Sequence, residues 1–308
     1  MMRRLLSATR ALVVPGVLAL ISACSAVSID LPPVARSDVA SHPGKFIWHD
    51  LISDDVDGSR RFYGELFGWE FRRLRGAGGN YWLISLDGRP VAGMVEQASL
   101  RAERDISQWV SLLSVADAEA TVRRVTAGGG SVLRQPVSLG ERGTVAVFLD
   151  PEGALFATLS TGGRDPADGG GRIAVGDFLW HELWSPAPDA VAGFYADIAG
   201  LEVERGSLAT DGGTPAPYHL LRSEGRARGG VRALPAADVP TLWMPYLRVA
   251  DRSGLDALLE KVPTLGGEVL VPAQARQAGG FLAVIAGPSG APLALQSWND
   301  GQPAVEAL

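Results

Sequence analysis

The sequence predicts an α+β protein made by tandem duplication of paired βαβββ modules, four modules in all, and a repeat at two levels predicts it. FIWHDLISDDVDGSRRFYGELFGWEF, from Phe46, aligns without gaps on FLWHELWSPAPDAVAGFYADIAGLEV, from Phe178, with 10 of 26 positions identical. WVSLLSVAD from Trp109 matches WMPYLRVAD from Trp243, and DPEGALFATLS from Asp150 matches GPSGAPLALQS from Gly287. The three landmarks recur in one order at offsets of 132, 134 and 137, which shared composition alone does not produce. Inside each half a weaker repeat runs through an apolar strand, an Asp, an amphipathic helix, a glycine and further strands.

Residues 1–23 carry Arg3, Arg4 and Arg10, then an apolar run from Ala11 to Ala23 that is too short to span a bilayer and suits the core of a signal peptide. The run ends Ile21-Ser22-Ala23-Cys24, which resembles the lipobox of bacterial lipoproteins, and Cys24 is the only cysteine among the 308 residues. The expectation is lipidation at Cys24, export and anchoring to the cell envelope. Ser25 rather than Asp follows, which favours the outer membrane in a Gram-negative organism. Acyl chains contribute about 0.8 kcal/mol per buried CH₂, so several on one residue hold a protein at a membrane without a transmembrane helix. A single cysteine forms no disulfide framework. Without the three signal arginines the net charge of −6 becomes −9, and no basic run is present, so nucleic acid is excluded as a partner.

Residues 24–45, with Pro32, Pro33, Pro43 and little periodicity, read as an extended tether that contains His42. Residues 46–160 form the first domain. Phe62, Tyr63, Leu66 and Phe67 stripe its first helix, and Asp117 is placed to cap its second. YWLISLDG, PVAGMV, TVAVFLD and ALFATLS supply strands. TGGRDPADGGG at 161–171 reads as a linker. Residues 172–298 repeat the plan, with helical stripes at Val191, Phe194, Tyr195 and Ile198 and at Leu255, Leu258, Leu259 and Val262. Residues 299–308 form a tail.

The order of a strand, a helix with FY, then LFGW, a hairpin, WxxxLxVAD and DPxGA resembles the vicinal oxygen chelate superfamily, which includes glyoxalase I, bleomycin-resistance proteins and extradiol dioxygenases. The resemblance covers nearly all of residues 46–298. It implies that paired modules curl their strands into a cup that holds a ligand, here two cups. Metal-dependent members carry a ligand on the first strand of each module and a Glu near the end of the last. The corresponding positions here are Trp48, Trp180, Val110, Met244, Ala157 and Ala294, none a usual ligand for a hard or borderline cation.

Alternation along a strand puts Trp48 and Asp50 on one face and Ile47, His49 and Leu51 on the other. It likewise groups Trp180, Glu182 and Trp184 against Leu179, His181 and Leu183. The repeated trio of aromatic, histidine and acid therefore does not converge on one point. Trp48, Asp50, Trp180, Glu182 and Tyr246 are the candidate ligand-binding residues, lining aromatic, weakly acidic cups. The alternative reading is that the tryptophans are core and the acids bond to backbone. His49, His181 and His219 are candidate metal ligands only in a shifted register, and otherwise structural histidines. Glu141 and Arg142 read as a solvated loop pair. The glycines of TAGGGSV and TLGGEV suit helix ends rather than phosphate cradles.

Three functions fit these residues. The first is an envelope lipoprotein that binds a small organic ligand with no cofactor. The second is an enzyme of glyoxalase or dioxygenase type that uses a divalent metal. The third is an envelope scaffold with filled cups.

Overall fold

The structure, a computed structural model, describes residues 30–35, 41–74, 80–100, 102, 104–168, 173–208, 215–276 and 279–297. Cys24, the proposed signal peptide and the tail lie outside the described residues. The first domain runs β1 (Phe46–Ser53), α1 (Val56–Phe67), β2 (Glu70–Arg73), β3 (Tyr81–Leu86), β4 (Arg89–Glu96), β5 (Gln108–Ser114), α2 (Ala118–Ala127), β6 (Ser131–Ser138), β7 (Thr144–Leu149) and β8 (Leu155–Ser160). The second runs β9 (Phe178–Ser185), α3 (Pro188–Ala199), β10 (Glu202–Leu208), β11 (Ala216–Ser223), β12 (Arg226–Ala233), β13 (Leu242–Val249), α4 (Arg252–Lys261), β14 (Glu268–Ala275), β15 (Phe281–Ala286) and β16 (Pro292–Ser297).

Each domain is one eight-stranded sheet. The orders are β2-β3-β4-β1-β5-β8-β7-β6 and β10-β11-β12-β9-β13-β16-β15-β14, so the two halves share one topology. Two modules meet along antiparallel β1 and β5, or β9 and β13. Helix starts follow the expected chemistry. Asp55, Asp117 and Asp251 accept hydrogen bonds from Gly58 N, Ala120 N and Gly254 N at 2.9, 2.9 and 2.8 Å, while α3 has Pro188 in its first turn instead.

The helices bury their stripes between the two sheets. Phe62, Tyr63 and Leu66 of α1 share a core with Leu255 of α4 and with Leu247, Ile285 and Leu295, so the first module packs on the fourth. Val125 of α2 shares a core with Val191, Phe194 and Tyr195 of α3, so the second packs on the third. Each half closes the apolar back of the other.

The opposite faces form the cups. In the first sheet β3 and β7 are five strand positions apart, about 24 Å at 4.8 Å spacing in a flat sheet. Yet Leu83 of β3 and Val145 of β7 belong to one buried cluster with Trp48, Val110, Leu112 and Ala157. The sheet therefore curls around that cluster.

One expectation needs correcting, in both halves. A register shift between Phe46 and Trp48 turns Ile47 toward the cup cluster and Phe46 toward the back, so Ile47 does not share the His49 face. The same shift recurs between Trp180 and Phe178, so Leu179 packs on the cup side. The connection between the domains makes contacts of its own. In the linker, Asp165 is buried and accepts from Thr161 Oγ1, Ser114 Oγ and His42 N at 2.6, 2.6 and 2.7 Å. Asp168 takes a paired contact from Arg228 at 2.7 and 2.9 Å and another from Lys45 at 3.0 Å. Residues 161–168 are thus bonded to both domains. Among the described residues no helix is long and apolar enough to cross a membrane.

Candidate functional site: two aromatic cups

At the floor of the first cup, Trp48 Nε1 donates to Asp50 Oδ1 at 2.9 Å, and Tyr81 Oη donates to the same oxygen at 2.7 Å. The sequence pairing of Trp48 with Asp50 is therefore a direct contact. Tyr81 reaches Asp50 from β3 across the intervening β4, and Gly93 makes this possible. A Cβ on Gly93 would fall 2.0 Å from Tyr81 Oη and 2.2 Å from Asp50 Oδ1. Burial raises the Asp50 pKa, with the Arg142 charge and the two hydrogen bonds opposing it.

Arg142 completes the cluster and corrects the solvated-loop reading, since it is 1% exposed. Its Nη1 donates to Tyr81 Oη at 2.6 Å, and its guanidinium carbon lies 4.2 Å from the centre of the Trp48 ring. Its Nε donates to Pro32 O at 2.9 Å, while Nη2 is buried without a hydrogen-bond partner.

The second cup repeats the plan with more ligands to its acid. Glu182 is fully buried. Tyr218 Oη donates to Oε1 at 3.1 Å, Tyr246 Oη to Oε2 at 2.5 Å and Trp184 Nε1 to Oε2 at 3.2 Å. Trp180 Nε1 donates to Tyr218 Oη at 3.2 Å. Arg276 Nη2 and Arg232 Nη1 lie 3.5 and 3.8 Å from the carboxylate. Gly230 plays the part of Gly93, for its Cβ would fall 2.2 Å from Tyr218 Oη. The buried hydroxyls of Tyr218 and Tyr246 have raised pKa values, from burial first and the Glu182 charge second. All five candidate binding residues thus lie in two hydrogen-bonded clusters.

The histidines lie elsewhere. His49 and His181 meet on the back faces, Nε2 to Nε2 at 2.7 Å. Phe178 stacks on His49 at 3.6 Å and Phe46 on His181 at 4.1 Å, a pseudo-symmetric core of four rings between the domains. Burial lowers both histidine pKa values, that of His181 to about 3, and the neighbouring ring adds to the effect at His49. The rings are neutral near pH 7, one donating and the other accepting. Two nitrogens on one tetrahedral zinc stand about 3.3 Å apart, so 2.7 Å is the geometry of a direct hydrogen bond. His219 also lies apart from the cup, with Nε2 2.8 Å from Asp189 of α3.

The repeated fold, the paired modules and the duplicated floor decide the comparison with known proteins. A sequence profile of the Glyoxalase/Bleomycin resistance protein/Dioxygenase superfamily matches residues 45–158. The protein called "Putative glyoxylase CFP32" in Mycobacterium tuberculosis is 30% identical over 247 residues, covering 79% of this chain and 91% of its own. The chain belongs to this superfamily. "Anthracycline biosynthesis protein DnrV" of Streptomyces peucetius is 30% identical over 275 residues, covering 85% and 96%. Among solved structures, the Mn(II)-bound glyoxalase of Novosphingobium aromaticivorans superposes with a TM-score of 0.58 at 17% identity, covering 83% of each chain. A catechol 2,3-dioxygenase superposes at 0.55 with 12% identity, over 86% and 96%. These likenesses are of fold.

Within the superfamily frame, Trp48, Val110 and Ala157 belong to the first cup's cluster, and Trp180, Met244 and Ala294 to the second's. Among the described residues one group of three His, Cys, Asp or Glu side chains comes close enough to hold an ion: His42, Asp168 and Glu224. It lies outside both cups, and Arg228 and Lys45 already neutralise Asp168. Sequence reasoning missed Tyr81, Tyr218, Arg142 and Arg276. The two tyrosines were detectable, because YWLISLDGRPVAGMV aligns on YHLLRSEGRARGGVR with the tyrosines and the two glycines in register.

Proposed function

We propose that the protein binds a small organic molecule in a cup of this fold without the metal that related enzymes use, and that Cys24 anchors it to the cell envelope. One observation carries the reading. The six cup positions where the resemblance expects metal ligands hold Trp48, Trp180, Val110, Met244, Ala157 and Ala294, and the polar groups beside them form Trp-Tyr-acid-Arg clusters. Indole and aliphatic side chains are not metal ligands, and the lone thioether of Met244 is too soft to hold a hard or borderline divalent cation by itself. A single carboxylate bonded to a tyrosine and an indole supplies one weak ligand at most. The residues present do not fit a divalent metal.

What these clusters supply is an aromatic wall, a fixed charge and directed donors. That suits recognition of a flat or apolar molecule with oxygen acceptors. Relatives named for glyoxylase chemistry and for anthracycline biosynthesis point to small organic molecules as well. Envelope anchoring rests on the apolar run and the sole cysteine. A scaffold reading competes because side chains pack on both floors, Leu234, Val239 and Leu242 on the second and Leu31, Leu74 and Leu139 on the first.

Native mass spectrometry of the full chain, purified from cells without chelators, tests the proposal. The expected spectrum carries a non-covalent organic adduct that is lost on denaturation. Protein free of organic adduct but loaded with one metal ion per chain would overturn it.

A further inference from the structure

The chain places a piece of its own N-terminal segment in the first cup. Leu31 is 3% exposed and belongs to the same buried cluster as Trp48, Tyr81 and Ala157. Its amide donates to Leu139 O at 3.0 Å, and Asp30 Oδ1 accepts from Glu141 N at 3.3 Å. Gly140 is shaped for this contact. It sits at φ +65°, and a Cβ there would fall 1.8 Å from Asp30 Oδ1.

Arg142 shows what the segment lacks. Nε and Nη2 form the edge of a guanidinium that takes two oxygens side by side. Pro32 O fills the Nε half, and the buried Nη2 half has no partner. A peptide carbonyl offers one oxygen where this edge accommodates two. A carboxylate offers both. Beside the segment runs a cleft of about 1020 Å³ between the domains, lined by Pro32, Pro33 and Val34 on one side and Ala174 and Arg226 on the other. It gives the segment a place to move and a ligand a way in. The second cup has no such vacancy at its arginine, because Arg276 Nη1 donates to Gln296 Oε1 at 2.9 Å and Nη2 faces Glu182.

We propose that the first cup is an arginine-anchored site for a carboxylate with an apolar body, and that Asp30–Val34 is a strap that occupies this site and is displaced when such a ligand binds. The ligand's oxygens take the Nε–Nη2 edge of Arg142, and its apolar body replaces Leu31 against Trp48. This deepens the binding role proposed above and rests on it.

The test uses the full chain and 1-naphthoate, a fluorescent aromatic carboxylate close in size to the Leu31-Pro32 pair. Equilibrium dialysis compares the wild type with Leu31→Gly, which removes the apolar anchor and leaves the cup intact. The expected result is at least tenfold tighter binding to Leu31→Gly, reversed by the peptide acetyl-DLPPVA-amide. 1-Naphthalenemethanol, which has a single oxygen, should bind at least tenfold more weakly than the naphthoate. Equal affinity of wild type and variant, or no discrimination between the two probes, overturns the proposal. A Leu31→Gly chain that fails to fold identifies the segment as fixed core and overturns it also. Limited proteolysis of the same two proteins separates this proposal from the broader binding role: new cleavage at residues 30–35 in the variant without naphthoate binding overturns the carboxylate site and leaves the broader role standing.

Discussion

The two cups descend from one template, and they differ in what surrounds the acid. In the first, Asp50 has Trp48 and Tyr81 as hydrogen-bond partners, and Arg142 turns one side toward the N-terminal segment. In the second, Glu182 gathers two tyrosines, an indole and two arginines. Tyr246 pairs with Trp180 where Leu112 pairs with Trp48, so one substitution on the central strand accounts for the extra hydroxyl. Each cup keeps one buried donor without a partner, but in the second it is the neutral amide Gln296 Nε2, whose own oxygen already holds Arg276, while in the first it is half of the charged edge of Arg142. A buried charged donor left unspent is the costlier of the two and the better prepared for a ligand.

Removing each acid is the strongest way to break that comparison. Glu182→Ala strands Arg276 and two tyrosine hydroxyls in a dry interior, and should cost about 3–5 kcal/mol of stability. Asp50→Ala removes the carboxylate nearest the buried Arg142 but leaves that side chain its bonds to Tyr81 and Pro32, and should cost about 3 kcal/mol, the low end of the same range. Chemical denaturation of both variants reads the difference, and equal losses would mean that the cups are equivalent.

The glycines come next. Gly93→Ala and Gly230→Ala both push a tyrosine hydroxyl off its acid, and each should cost about 1–3 kcal/mol. Similar losses for the two would show that the Tyr-acid contact is the shared part of the template. An unchanged melting temperature in either would show that the tyrosine relaxes elsewhere.

Between the cups, the neutral His49–His181 pair makes folding sensitive to acid. A folded-state histidine pKa held below the unfolded value of about 6.5 means that the unfolded chain binds more protons as pH falls, so the contribution is complete above pH 6.5 and is lost below it. For His181, lowered to about 3, the loss at pH 5 is about 2 kcal/mol. A His49→Phe, His181→Phe double variant should flatten the stability profile between pH 7 and pH 5, and an unaltered slope would remove the pair as its source.

The smallest effect belongs to Tyr246→Phe, about 1 kcal/mol, since Glu182 keeps its other donors. A loss as large as that of Glu182→Ala would place the weight of the second cup on this one hydroxyl.

Much of this was legible in the sequence because the repeated residues do geometric work. Capping aspartates, helix stripes and turn glycines fix the modules, and strand alternation correctly put Trp48 with Asp50 and Trp180 with Glu182. The bulge at Ile47 was not legible, because an inserted residue leaves no mark in an apolar run. Arg142 was hidden by its place in a polar loop, where nothing local reveals that the loop folds over an aromatic floor. Leu31 was hidden for a related reason. A lone leucine before two prolines has no period, and only the cup gives it a partner.

The central claim, a cup that recognises its ligand without a metal, is tested most directly by elemental analysis. The full chain is incubated with zinc, nickel, manganese and iron(II) salts, desalted without chelators and measured alongside His49→Ala and His181→Ala variants. The account predicts metal well below one ion per chain, unchanged by either substitution. Near-stoichiometric metal that disappears in one of the histidine variants would contradict it, and would place the protein with the metal-dependent enzymes of its superfamily.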